Sequence, residues 1–217
     1  MRNEEEMIMK VLLINGSPKE TGCTYTALCE VAKTLEGEGI HTEIISVGKA
    51  PIQGCIGCLG CVKSGEGKCV FSNDLVNTVI EKAKEADGFV IGSPVHYAAA
   101  SGAITSLMDR VCYAGGKNLM FKPAASIVSC RRGGASATFD QLNKYFSILH
   151  MPIVSSNYWN QVHGNTPEEV LKDEEGMQTM RQLGRNMAWL LKAIEAGKNA
   201  GISLPEVEPK IKTNYIR

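Results

Sequence analysis

Apolar residues recur along this chain in two alternating patterns. Short apolar runs stand at Val11 to Asn15, His41 to Val47, Gly88 to Ser93, Ala124 to Ser129 and Ile153 to Ser155. Runs of this kind suit strands of a parallel sheet, buried on both faces. Between them, apolar residues return every three or four positions and so share one helical face. Leu28, Val31, Ala32 and Leu35 form one such stripe, Leu75, Val76, Val79, Ile80 and Ala83 a second, and Phe139, Leu142, Phe146 and Leu149 a third. Asp74 is predicted to cap the second of these helices, which runs to Ala86. A further helix is predicted from about Gly102 to Cys112. The last helix carries Met177, Met180, Leu183, Met187, Leu190, Leu191 and Ile194, and methionines at this spacing fill a core or a subunit interface. Asn160 to Lys172 reads as a polar loop. From Asn199 onward the tail has no period and is predicted to lie across a neighbour or to be loose. Strands alternating with helices predict an α/β fold, a doubly wound parallel sheet in three α/β/α layers.

The connection after the first strand changes this picture from fold to chemistry. Gly16, Ser17, Pro18, Lys19, Glu20, Thr21, Gly22 and Cys23 lead into a helix that begins near Thr24. Glycines let the backbone approach a ligand, amides at the helix start point at it, and Ser17, Thr21 and Thr24 add hydroxyls. Such a loop suits a phosphate. No Lys-Ser or Lys-Thr follows either glycine, so the nucleotide P-loop spacing is absent, and so is GxGxxG. A hydroxyl-rich loop that holds a terminal phosphate without magnesium remains; the bland alternative is a Gly/Ser turn.

Three stretches carry a family resemblance: GSPKETGCT, GSPVHYAAASGAITSLMDR and CRRGGASATFDQL. They resemble, in order, the phosphate loop, the proline-aromatic segment and the second flavin-contacting loop of the NADPH-dependent FMN reductases and multimeric flavodoxins. The resemblance runs from about Lys10 to Leu191. It implies a flavodoxin-like five-stranded sheet of order 2-1-3-4-5, with FMN at the switch point beyond the carboxyl ends of strands one and three. Loops 16–24, 94–102 and 130–136 would meet there. By the same resemblance Ser17, Lys19 and Thr24, with Thr21 and Cys23 in the same loop, hold phosphate and ribityl. Pro94, Val95, His96 and Tyr97 lie beside the isoalloxazine, Gly133 and Gly134 near its far edge, and Arg131 faces phosphate or cofactor. Two positions depart from the family. Cys23 stands where Asn is usual, and His96 where Tyr or Phe is common.

The glycine- and cysteine-rich insertion at 48–72 holds Cys55, Cys58, Cys61 and Cys69, four of the eight cysteines. Two-residue gaps turn neighbouring thiolates inward from one tight loop, and the longer gap brings back a fourth, as a [4Fe-4S] cubane requires. The pattern resembles that of the iron-sulfur flavoprotein branch. A metal-free loop and a zinc site are the alternatives, zinc usually taking two separated CxxC pairs. Elsewhere the bland readings stand. Cys29 and Cys112 read as inert helix thiols, Asp109 and Arg110 as a surface pair, and His41, His150 and His163 as structural.

Composition adds limits. A chain of 217 residues, 44% hydrophobic and 21% charged, suits one domain over 1–217, with the insertion and a tail at 199–217. A formal net charge of +0 argues against a nucleic-acid footprint. The start, MRNEEEMIMK, reads as neither signal peptide nor anchor, and no apolar run is long enough for a membrane span. The expectation is a cytoplasmic protein with cysteines as thiols or ligands. The function expected from the resemblance is an oxidoreductase that takes electrons from NAD(P)H through FMN to a small acceptor such as flavin or a quinone. A flavin-bearing electron carrier is the alternative. A homodimer or homotetramer is expected from the methionine-rich helix, the tail and the family.

Overall fold

The computed structural model describes residues 9–213 and Tyr215. The reading of the glutamate-rich start falls on residues 1–8, and with residues 214, 216 and 217 these lie outside the described residues. Five strands form a parallel sheet: β1 (Lys10–Asn15), β2 (His41–Ser46), β3 (Gly88–His96), β5 (Ala124–Cys130) and β6 (Gln161–His163). A two-residue strand, β4 (Ala99–Ala100), turns back antiparallel on the end of β3. The sheet order β2-β1-β3-β5-β6 is the expected 2-1-3-4-5 once β4 is set aside.

Side chains alternate across each strand, so neighbouring residues of β1 serve opposite layers. Leu12 and Ile14 pack with Phe89 and Ile91 beneath α3 (Val76–Glu85), α4 (Gly102–Gly115) and α5 (Ala135–Ile148). Val11 and Leu13 pack with Val90 and Ile127 beneath α1 (Cys23–Gly37) and α7 (Glu174–Asn199). Met177, Met180 and Met187 belong to this second layer and are buried. They are therefore core filler.

Three local expectations are corrected. Ile153 touches β5 through a single bridge to Ala124, and the ladder resumes only at Gln161. The chain leaves the sheet between them because buried Asn160 donates from Nδ2 to the Ser126 carbonyl (3.0 Å) while its Oδ1 accepts from Ser156 (2.7 Å). The polar stretch 160–172 is consequently not a loop, since it holds β6 and the short α6 (Pro167–Lys172), capped by Thr166. Asp74 is not the N-cap of α3. Leu75 is, and Asp74 only accepts the Val76 amide (3.2 Å) with one oxygen. From Ile202 on, the described tail forms no helix or strand, and Ile202, Leu204 and Ile211 are exposed. Among the described residues no helix is long and apolar enough to cross a membrane.

Candidate functional site

The carboxyl ends of β1, β3 and β5 bring the three expected loops together. Gly16 lies against β3 and α4, donating its amide to Gly92 (2.8 Å) and accepting from the Ser101 hydroxyl (2.6 Å). A Cβ there would stand 2.6 Å from the Gly92 oxygen and 2.7 Å from Ile104 Cβ, so only glycine allows this approach. Asn15, fully buried and not foreseen as a site residue, shapes the turn from within. Its Oδ1 accepts the Ser17 amide (3.1 Å), and its Nδ2 donates to the Glu20 carbonyl (3.2 Å) and to Ser46 (3.2 Å).

Ser17 is buried and accepts the Lys19 amide on Oγ (3.1 Å). Thr24 is turned inward, its hydroxyl sharing a 2.8 Å hydrogen bond with Ser129 on β5, so it braces the loop from below. The Cys23 thiol reaches the Gly164 carbonyl (3.7 Å), and burial pushes its pKa up, which suits a neutral donor rather than a phosphate contact. Lys19 and Thr21 stand exposed at the rim of a cavity of about 490 Å3, with Pro18, Glu20, Gly22, Lys49 and Pro167. Lys49, which follows β2, was not foreseen. At this rim α1 starts on Gly22 with no side-chain cap and no acidic residue in its first turn. Uncapped amides, the helix dipole and two lysines together favour an anion.

Beside this loop β3 runs three residues past its expected end, into Pro94, Val95 and His96. The turn back to β4 is a two-residue hairpin in which Tyr97 (φ 51°) and Ala98 (φ 60°) both take the left-handed conformation. Such turns usually employ Asn-Gly, because an L side chain there costs about 1 to 2 kcal/mol. His96 and Tyr97 are exposed at its tip, Pro94 and Val95 half-buried at its base. Gly134, at φ 90°, closes the other side. A Cβ on it would fall 2.7 Å from Ala98 Cα and 2.9 Å from a Val95 methyl, so the third loop rests directly on the second. Arg131 and Gly133 are exposed at its edge. Backbone strain of this kind gathers at ligand sites. Ala98→Gly is expected to stabilise the protein by about 1 kcal/mol by relieving it, read as a raised urea midpoint with unchanged slope.

The four insertion cysteines form a second centre, beside α4. Cys55, Cys58, Cys61 and Cys69 line one cavity of about 20 Å3 together with Ile56, Val70 and Arg110. Cys61 stands on the short helix α2 (Gly60–Ser64), which opens on Leu59 in the left-handed conformation (φ 56°). Asn77 of α3 fastens the loop's return, accepting the Cys69 amide (2.8 Å) and donating to the Cys69 (2.9 Å) and Phe71 (3.2 Å) carbonyls. Among the described residues no three His, Cys, Asp or Glu side chains converge as ligands of one metal ion. A mononuclear zinc needs that convergence, with sulfurs ~2.3 Å from one point. A cubane takes each thiolate at a different iron, so a ring of four thiols around one cavity suits it in kind. The cavity as it stands holds about one water, and the loop has to open to admit anything larger.

The surface pair expected at 109 and 110 does not exist. Adjacent helical residues point apart. Asp109 accepts a hydrogen bond from Tyr145 (2.6 Å), while Arg110, only 1% exposed, turns into the cysteine loop and pairs with Asp74. Spacing gives little signal of this, because Arg110, three residues after Leu107, falls at the flank of the buried stripe of Ile104, Leu107, Met108 and Val111 rather than within it. Ser101, which holds Gly16, caps α4, and Arg110 lies eight residues beyond Gly102 on that helix. That separation is about 12 Å along the axis. One rigid element thus joins the two centres.

Comparison with known proteins agrees with this architecture. Residues 9–166 match the family of NADPH-dependent FMN reductases. An iron-sulfur flavoprotein of Methanocaldococcus jannaschii is 35% identical over 195 residues, spanning 86% of this chain and 100% of the relative. An iron-sulfur flavoprotein of Archaeoglobus fulgidus is 31% identical over 205 residues, spanning 88% of this chain and 98% of the relative. In fold, the structure of a flavodoxin from the domain Archaea superposes with a TM-score of 0.58 at 14% identity, covering 85% of this chain and 99% of that one. The chain therefore belongs to the NADPH-dependent FMN reductase family, in its iron-sulfur flavoprotein branch, and is a flavin-dependent oxidoreductase of flavodoxin-like fold.

Proposed function

We propose that the protein binds FMN in the cleft formed by the three loops, draws electrons from NAD(P)H and passes them to a small acceptor such as flavin or a quinone. The observation that carries this reading is the convergence of the uncapped start of α1, the strained hairpin at Tyr97 and Ala98, and Gly134 at one end of the sheet. FMN, when bound, supplies hydride acceptance and release of electrons singly or in pairs. The chain supplies position and charge. Ser17, Lys19, Thr21 and Lys49 surround the phosphate, while Thr24 and Cys23 hold the loop from beneath it. Pro94, Val95, His96 and Tyr97 would lie beside the ring, with Gly133 and Gly134 near its far edge and Arg131 at the open side.

The cysteine loop is proposed to hold a [4Fe-4S] cluster through Cys55, Cys58, Cys61 and Cys69, which would supply a one-electron route. Four thiols lining one cavity support this, as do the names of the relatives. All eight cysteines are unpaired, which suits a reducing cytoplasm. Homodimers or homotetramers are proposed from the exposed Tyr113, Ile148 and Trp189 and the apolar residues of the tail. Sedimentation is expected to give a dimer or tetramer at micromolar concentration, and a monomer there would overturn this.

A visible spectrum of protein purified without air tests both cofactors at once. Flavin bands with a broad underlying absorption, and iron with acid-labile sulfide, are expected. Steady-state NAD(P)H oxidation with added flavin or quinone is expected to turn over, whereas a pure carrier would be reduced once and stop. Ser17→Ala with Thr24→Ala is expected to weaken FMN by about 1 to 3 kcal/mol, through one lost hydrogen bond to a charged group at Ser17 and a loosened brace to Ser129 at Thr24, measured by flavin fluorescence titration.

A further inference from the structure

Arg110 is the largest fully buried side chain among the described residues. It stands buried at the flank of the apolar face of α4, where a leucine or methionine would serve packing without the cost of desolvating a charge. Its contacts show where that charge is directed. Nε donates to the Cys69 sulfur (3.2 Å), Nη1 to the Gln53 carbonyl (3.0 Å) and to Asp74, and Nη2 to the Phe71 carbonyl (3.0 Å). Its guanidinium also stands 5.6 Å from the centre of the Phe71 ring. Gln53, Cys69 and Phe71 belong to the cysteine insertion, and Asp74 stands just beyond it, after Asn73. A rigid fork held this way fixes the loop on both sides of the cavity and aims one N–H at one of its four sulfurs.

We infer that Arg110 is a positioning residue of the cysteine centre, which holds Cys69 at the cavity and raises the reduction potential of a cluster carried there. The inference rests on the cluster reading proposed above. Reduction adds negative charge to a cluster, and a hydrogen bond to a ligating sulfur stabilises the more negative form. Asp74 offsets the net charge of the guanidinium, so the directed N–H is what reaches the sulfur. Lysine cannot reproduce it. Its compact ammonium can pair with Asp74 but cannot span Asp74, Cys69 and both carbonyls as the planar fork does.

The test compares anaerobically purified wild type with Arg110→Lys, which keeps a partner for Asp74, and with the double variant Asp74→Asn/Arg110→Gln, which removes both buried charges together. FMN, iron and acid-labile sulfide are measured per chain, and the cluster is titrated electrochemically under electron paramagnetic resonance. Both variants are expected to keep FMN and iron while the cluster becomes harder to reduce by at least about tenfold in equilibrium constant, which is about 59 mV for a one-electron couple. The flavin potentials are expected not to move. An unchanged cluster potential in both variants overturns the inference. Loss of iron from both, with FMN retained, overturns the tuning role and leaves Arg110 a structural residue of the loop. Wild-type protein without iron or sulfide overturns the cluster reading itself and is told apart from the other outcomes because it precedes any substitution.

Discussion

Asp74→Ala is expected to cost about 3 to 5 kcal/mol, a large share of the 5 to 15 kcal/mol typical of a folded domain. The reason lies less in what Asp74 contributes than in what its loss exposes. Arg110 is 1% exposed and cannot reach water from its place on α4, so it would be left as an uncompensated buried charge. Replacing both partners with apolar residues of similar volume, as in Asp74→Leu with Arg110→Met, is expected to cost far less in stability while releasing Gln53 and Phe71. Urea denaturation of the single and double variants separates the two effects. The pair also carries a pH dependence of known sign. Burial works against the Asp74 carboxylate, but the Arg110 hydrogen bond, the Val76 amide and the Arg110 charge outweigh it and hold its pKa below the ordinary value. A depressed carboxyl contributes fully above its unfolded value, ~3.9, and loses that contribution as pH falls through the lower folded value. The gap between wild type and Asp74→Ala is therefore expected to stay constant from pH 5 to pH 8 and to narrow below about pH 4.

The sheet was legible because its strands are continuous apolar runs, and β1, β3 and β5 stand within a few residues of their expected bounds. β6 was not, since three residues, Gln161 to His163, carry no run, and the detour before it is set by a buried polar side chain, Asn160, rather than by periodicity. The site follows the same division. Loops 16–24, 94–102 and 130–136 announce themselves by glycine, proline and hydroxyl content, and the structure does bring them together. Asn15 and Lys49 gave no such signal, because their roles depend on which elements become neighbours in space. Thr24 shows the converse. Hydroxyl content and the family resemblance both point to it as a ligand, while its position on the inner face of α1 turns its hydroxyl toward Ser129. Arg110 gave no inward signal either, because it falls at the flank of the apolar stripe of α4 and is buried only because the cysteine insertion packs over that flank.

Cys58→Ala and Cys61→Ala are each expected to abolish iron binding while leaving FMN in place. The two centres share α4 and meet at Lys49, at the start of the insertion, but the hydrogen bonds that shape each loop are separate. The phosphate loop is held by Asn15, Ser101 and the Gly92 carbonyl, none of which belongs to the insertion. The cysteine loop, by contrast, has few apolar anchors of its own, with Ile56, Leu59, Val62 and Val70 all exposed. Its order near the cavity comes from Arg110 and Asn77, which grip only Gln53 and the segment from Cys69 to Phe71. Cys58 and Cys61 lie between these grips, so metal would be the main constraint on them, and losing one ligand would free the middle of the loop. Iron and sulfide analysis is expected to fall to background in both variants, with the broad absorption beneath the flavin bands lost and FMN still present at wild-type stoichiometry. Hydrogen exchange is expected to speed up between residues 55 and 66 and to hold steady across the Asn77 contacts. Wild-type protein prepared without air that carries flavin but no iron, with all four thiols open to an alkylating reagent, would instead make the insertion a metal-free cover over the side of α4.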